Sequence, residues 1–140
     1  IKDKEKKMKI LLAEDDFTTR KYMANFLSKY GSCDVTVDGM EAVDAFMLAL
    51  EEEEPYDLVC LDIMMPVMDG YQALMGIRNL EKEKNIPDDK RVNVIMATAL
   101  NEEKNVKMAF DLGCTIYSGK PIDQAKFEQA LKKIGLIDEK

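Results

Sequence analysis

Three acids in a row, Glu14-Asp15-Asp16, follow the apolar run Ile10-Leu11-Leu12-Ala13, and a fourth, Asp62, ends the run Leu58-Val59-Cys60-Leu61. Thr98 closes the run Val92–Ala97, and Lys120-Pro121 follows the run from Cys114 to Gly119. Carboxylates and a lysine are the groups that hold a hard cation and carry a phosphoryl group. One acid after a strand is commonly a helix cap, and Asp15 or Asp16 would serve as one. Three in succession exceed what a cap needs. Two carboxylates about 4 Å apart repel by ~4 kcal/mol at an effective dielectric of 20. If Glu14, Asp15 and Asp62 meet, either a cation neutralises them or a pKa rises. An all-oxygen ligand set favours Mg²⁺, with Mn²⁺ as a substitute, and a backbone carbonyl from the loop after Asp62 could be one further ligand. A lysine or a threonine after a strand is ordinary by itself; the joint placement on successive strand ends carries the signal.

Positioning these groups requires strands that end together. Strand candidates are Met8–Ala13, Cys33–Val37, Tyr56–Leu61, Val92–Ala97 and Cys114–Ser118. The first, third and fourth read as buried on both faces, the second and fifth as nearer the sheet edges. Helical spacing lies between them: Met23, Phe26, Leu27 and Tyr30; Ala42, Ala45, Phe46 and Ala49; Leu74 and Ile77; Val106, Ala109, Phe110 and Gly113; and Phe127, Ala130, Leu131 and Ile134. Asn101 before Glu102-Glu103 predicts a helix start, and Gly113 a stop. Glu81 to Arg91, around Pro87, reads as a long polar surface connection. Five β–α units with short links predict an α/β fold: a doubly wound, five-stranded parallel sheet with helices on both faces. In such sheets ligands bind outside the carboxyl ends of the strands, where all the groups above would sit.

The chain has 140 residues and a formal net charge of -7. One domain is expected over residues 8–137, with residues 1–7 a charged lead-in. The negative balance argues against direct nucleic-acid binding and against an anionic membrane surface. No apolar run approaches the ~20 residues of a membrane span. The chain has no histidine, which excludes a phosphohistidine donor, a serine–histidine hydrolase and a histidine-ligated zinc site. Cys33, Cys60 and Cys114 are far apart and read as small buried residues in a reducing cytoplasm.

Glu14-Asp15, Leu61-Asp62-Ile63-Met64-Met65-Pro66, Met68-Asp69-Gly70, Thr98-Ala99, Tyr117 and Lys120-Pro121 together resemble the receiver domain of bacterial response regulators. The likeness runs from about Met8 to Ile134, and its layout resembles single-domain receivers of the chemotaxis CheY type. The resemblance implies the flavodoxin/CheY-like sheet order 2-1-3-4-5 and a cytoplasmic two-component signalling switch. In it Asp62 is the phosphoacceptor. Asp15, Asp62 and the Met64 backbone carbonyl bind Mg²⁺, with Glu14 acting through water. Lys120, Thr98 and the Ala99 backbone contact the phosphoryl group, Thr98 and Tyr117 form the switch, and Lys120-Pro121 is cis. The implied partners are a sensor histidine kinase and a target protein that reads the face of the fourth helix, fifth strand and fifth helix. The implied state is a monomer or a phosphorylation-dependent dimer. The domain would catalyse only its own phosphorylation and dephosphorylation, so it is not counted as an enzyme. Met64 and Leu100 stand two residues past Asp62 and Thr98, where receivers vary; two apolar residues there imply slow loss of the phosphoryl group.

Other classes fit less well. A haloacid-dehalogenase-type phosphatase needs a second Asp where Met64 stands. A flavodoxin needs a hydroxyl- and glycine-rich loop where this chain places carboxylates. No glycine-rich nucleotide loop occurs. The alternative that remains is a constitutive protein-binding module on a receiver fold, not phosphorylated in practice.

Overall fold

The computed structural model describes residues 7–138. The lead-in expected over residues 1–7 lies outside the described residues except for Lys7, which is exposed. Five strands alternate with five helices: β1 Met8–Ala13, α1 Phe17–Leu27, β2 Gly31–Thr36, α2 Gly39–Glu51, β3 Leu58–Leu61, α3 Gly70–Glu83, β4 Asn93–Thr98, α4 Glu103–Asp111, β5 Ile116–Gly119 and α5 Gln124–Lys133. All strand pairs are parallel and the order is β2-β1-β3-β4-β5. Successive parallel strands need crossovers, and α1 to α4 supply the four, while α5 follows the last strand and packs on the sheet.

Two apolar layers flank the sheet, and the two-residue period of the strands divides side chains between them. Ile10, Leu12, Leu58, Cys60, Ile95 and Ala97 face α1 and α5, where Phe26, Leu27, Phe127 and Leu131 meet them. Leu11, Ala13, Val59, Leu61, Val94 and Met96 face α2, α3 and α4, where Phe46, Leu74 and Ile77 meet them. Because β1, β3 and β4 are covered on both faces, their central runs Ile10–Ala13, Leu58–Leu61 and Val94–Ala97 are continuously apolar. Fully burying each of the larger side chains here, the leucines, isoleucines, valines, methionine and phenylalanines, contributes about 1.5–3 kcal/mol.

Element limits move by a few residues from the sequence expectation. The second strand starts earlier, at Gly31, where any Cβ would fall 1.9 Å from the Met8 carbonyl oxygen; only glycine lets β2 approach β1 there. The fifth strand begins two residues later, because the Cys114 N–H closes the end of α4 on the Ala109 carbonyl. Asn101 is not the cap of α4: the helix is capped at Glu102 with no side-chain bond. Its apolar stripe is also shallower than the spacing suggests. Only Ala109 is buried, while Phe110 is exposed and Gly113 ends the helix at φ 105°.

The connection expected over Glu81 to Arg91 is shorter, because α3 continues through Glu83. Glu81 is buried. It accepts from the Val92 N–H at 2.7 Å and from Arg78 Nη1 at 2.7 Å, tying the end of α3 to the start of β4. Arg78 also donates to the Gly113 carbonyl, which fixes the end of α4. These polar bonds close the amino-end pole of the sheet and leave the carboxyl end to the acids.

Candidate functional site

The ends of β1 and β3 lie side by side, with Ala13 opposite Leu61 and the Asp62 N–H bonded to the Ala13 carbonyl at 3.1 Å. The next residues, Glu14 and Asp62, therefore leave the sheet together. Glu14 is 2% exposed and Asp62 7%. Asp15 is exposed, and one carboxylate oxygen each from Glu14, Asp15 and Asp62 lies within 4.8 Å of the others. The third acid of the run, Asp16, is not in this group. It caps α1, accepting from the Thr19 N–H at 2.9 Å and hydroxyl at 2.7 Å, and these bonds hold its carboxyl below the usual range.

Lys120 reaches the crevice from the far edge of the sheet. Its N–H bonds the Thr98 carbonyl, which places it just past β5, and the Lys120–Pro121 bond is cis. Its Nζ lies 2.6 Å from Glu14 Oε1 and 3.2 Å from Asp62 Oδ2. Burial raises the Glu14 pKa, with help from the Asp62 charge and against the pull of Lys120. Burial opposes the Lys120 charge, but the hydrogen bond to Glu14 and the charges of Asp62 and Glu14 outweigh it and hold the ammonium above its ordinary value. Asp62 keeps its orientation through Oδ1, which accepts from the Ile63 N–H at 2.7 Å.

The loop after Asp62 is pinned by close backbone approaches. A Cβ on Gly70 would sit 2.2 Å from the Asp62 carbonyl oxygen, and one on Gly39 would sit 2.2 Å from that of Met68. Between them the Met68 N–H bonds the Pro66 carbonyl at 2.7 Å, a three-residue turn with Val67 at φ 68°. That is the rare γ-turn geometry, here at a β-branched residue. Met64 on this loop has an exposed side chain, and its neighbour Met65 is buried.

Thr98, the last residue of β4, is fully buried, and its Oγ1 accepts from the Leu100 N–H at 3.3 Å. Ala99 is exposed and Leu100 half-buried. The half-buried Tyr117 donates its hydroxyl to the Leu100 carbonyl, and burial raises its pKa. One residue, Leu100, thus joins Thr98 to Tyr117, through its N–H on one side and its carbonyl on the other.

The carboxylate trio faces a single lysine, an excess of two negative charges (three minus one). All donors are oxygens, two of them withdrawn from water. This chemistry fits a hard divalent cation such as Mg²⁺ and does not fit a soft metal.

The family model for the response regulator receiver domain matches residues 10–132. The chain belongs to the receiver-domain family. Among relatives of this receiver, a probable histidine kinase 2 from Oryza sativa subsp. indica is 33% identical over 134 residues, covering 89% of this chain and 12% of that kinase. The chain therefore spans a small part of that relative's length. A solved CheX–CheY–BeF3–Mg complex from Borrelia burgdorferi contains a chain similar at TM-score 0.77 and 30% identity, covering 91% of this chain and 88% of that one. The complex of Ypd1, a histidine phosphotransfer protein of Saccharomyces cerevisiae, with the Ssk1 receiver gives TM-score 0.77 at 25% identity, covering 95% and 94%. Receivers of two-component systems thus share this fold.

One contributor escaped the sequence reading. Arg20, in α1, donates from Nη1 to the Glu14 carbonyl at 3.0 Å and the Asp15 carbonyl at 3.2 Å. Nothing in its spacing from the acids distinguishes it from a solvated helix arginine. No helix of the described residues is long and apolar enough to cross a membrane.

Proposed function

We propose that this receiver is a phosphoacceptor switch and that Asp62 takes its phosphoryl group from a phosphohistidine on a partner kinase or phosphotransfer protein. The observation that carries the reading is the placement of Asp62 between Lys120 Nζ at 3.2 Å and two further carboxylates. In the transfer an Asp62 oxygen forms a bond to phosphorus while the phosphorus–nitrogen bond to the donor imidazole breaks. The bonding pair leaves with the imidazole nitrogen. Asp15, Asp62 and the Met64 carbonyl would hold Mg²⁺, for which Mn²⁺ substitutes, with Glu14 outside them. When bound, the ion supplies positive charge to the phosphoryl oxygens. Lys120 supplies a second positive partner, and the Ala99 amide and Thr98 hydroxyl complete the contacts. Catalysis of this kind is positioning and charge neutralisation.

The two backbone groups of Leu100 support a route for the signal. If Thr98 turns its hydroxyl to a phosphoryl oxygen, the Leu100 N–H loses its acceptor, and the carbonyl that holds Tyr117 shifts with it. A target protein then reads the face of α4, β5 and α5, in a cytoplasmic setting. Within this reading the domain promotes only its own modification.

The test is incubation with acetyl phosphate and Mg²⁺ followed by intact mass. The wild type gains one acid-labile phosphoryl group and Asp62→Asn gains none. Modification of Asp62→Asn overturns the assignment. A wild type that is never modified but still binds a target favours a constitutive binding module.

A further inference from the structure

The turn from β1 into α1 carries two of the three clustered acids. Asp15 is exposed, so little packing aims its carboxylate; its direction follows from its backbone. The Asp16 side chain is committed to capping α1, and its N–H bonds Glu14 Oε2 at 3.2 Å. The Glu14 N–H bonds the Thr36 carbonyl at 3.1 Å. The carbonyls of Glu14 and Asp15 have a single side-chain donor among the described residues, Nη1 of Arg20 at 3.0 Å and 3.2 Å. The guanidinium itself is seated 5.5 Å over the Phe17 ring, which keeps it against the turn.

We propose that Arg20 is a positioning residue for the cation and phosphoryl site: by gripping both carbonyls it fixes the two peptide planes from which Glu14 and Asp15 project into the crevice. This rests on the phosphoacceptor reading above and adds to it a residue that touches neither cation nor phosphoryl group. Outer-shell partners of this kind typically change metal affinity by about 10–100-fold when removed.

The sign of the effect separates positioning from simple charge. A guanidinium beside a cation site repels the cation, so on Coulomb grounds its removal tightens Mg²⁺ binding. Loss of the grip loosens the turn and weakens binding.

The experiment is calorimetric titration of the unphosphorylated chain with Mg²⁺, for wild type, Arg20→Met and Arg20→Lys. Arg20→Met is expected to bind about tenfold more weakly. Arg20→Lys, which keeps one donor group, is expected to recover part of that loss. Melting temperatures in EDTA are expected to stay close together, while amide exchange in residues 14–16 speeds up in Arg20→Met. Equal or tighter Mg²⁺ binding by Arg20→Met overturns the proposal. So does a variant that melts well below wild type and is restored in stability but not in Mg²⁺ affinity by Arg20→Lys. If Arg20→Met does not fold, Arg20→Lys decides alone: affinity equal to wild type overturns the grip. Wild type that binds no Mg²⁺ overturns the underlying reading first, and Asp15→Asn, which removes a proposed ligand, reports that failure separately.

Discussion

Replacing Lys120 with methionine keeps most of the packing of its stem and removes the charge together with its two hydrogen bonds to Glu14 and Asp62. At an effective dielectric of 20, unit charges at the observed 2.6 and 3.2 Å attract by roughly 6 and 5 kcal/mol before desolvation is counted. Desolvation cancels most of that. What decides the outcome is the state left behind, with Glu14 and Asp62 both withdrawn from water and no cation between them. Breaking a buried pair by removing one partner typically costs about 3–5 kcal/mol. The low end applies here, because Asp15 opens the cluster to solvent and the burial-raised Glu14 can take up a proton. A loss of ~3 kcal/mol in a domain of this size lowers Tm by roughly 10 °C. Thermal unfolding in EDTA at neutral pH measures it, and saturating Mg²⁺ is expected to return more stability to Lys120→Met than to wild type. Equal Tm values in EDTA would refute the claim that Lys120 neutralises the acids. Loss of stability with no extra gain from Mg²⁺ would show that the acids do not share one cation.

Val67→Gly is expected to stabilise the chain by up to about 1 kcal/mol in urea unfolding, because glycine adopts the positive φ of 68° without the strain of roughly 1–3 kcal/mol that a side chain meets there, and the largely exposed valine side chain gives up little burial; no gain would mean the turn is not strained. Glu81→Leu removes the acceptor of both the Val92 N–H and Arg78 Nη1 and is expected to cost about 3 kcal/mol, with Glu81→Gln costing less; equal costs would show that hydrogen bonding is not its role. Met64→Asn/Leu100→Glu is expected to shorten the half-life of the phosphorylated form by up to ~10²-fold, since polar groups there orient the attacking water. An unchanged half-life would remove those two side chains from the account of phosphoryl lifetime.

How much of this was legible in the sequence depends on whether a residue's neighbours were near in the chain. The strands β1, β3 and β4 announce themselves because both faces are covered, so polar residues have no place in Leu58–Leu61 or Asn93–Thr98 beyond the ends. The clustering of Glu14, Asp15 and Asp62 was also legible, since acids after apolar runs have few places to go in a parallel sheet. Glu81 read as part of a loop because its partner, the Val92 N–H, lies across a turn that composition does not reveal. The helix α4 showed a regular apolar stripe and yet buries only Ala109. Its position depends on polar bonds from elsewhere: Tyr71 donates its hydroxyl toward Asn105, and Arg78 holds Gly113. Arg20 gave no local signal at all, because its partners are carbonyl oxygens that every residue possesses.

The same asymmetry explains how the fold carries its acids. At the amino-end pole the buried carboxylate Glu81 is fully bonded to an N–H and a guanidinium, and it contributes to holding α3 against β4. At the carboxyl-end pole three clustered acids face one lysine, which bonds two of them, while the Arg20 guanidinium is committed to the Glu14 and Asp15 carbonyls, so formal negative charge is left in excess. Repulsion there opposes folding, and the continuous cores on both faces of the sheet must offset it. A carboxylate network that served stability alone would be replaceable by apolar side chains at little cost or with gain. On the phosphoacceptor reading, the excess negative charge gives the receiver a state that a bound cation would relieve and that a phosphoryl group on Asp62 would restore. Lys120 bridges Glu14 and Asp62, so it bears directly on both changes. A perturbation at this pole is therefore expected to appear in ion affinity and in phosphoryl transfer, and one at the Glu81 pole in stability alone.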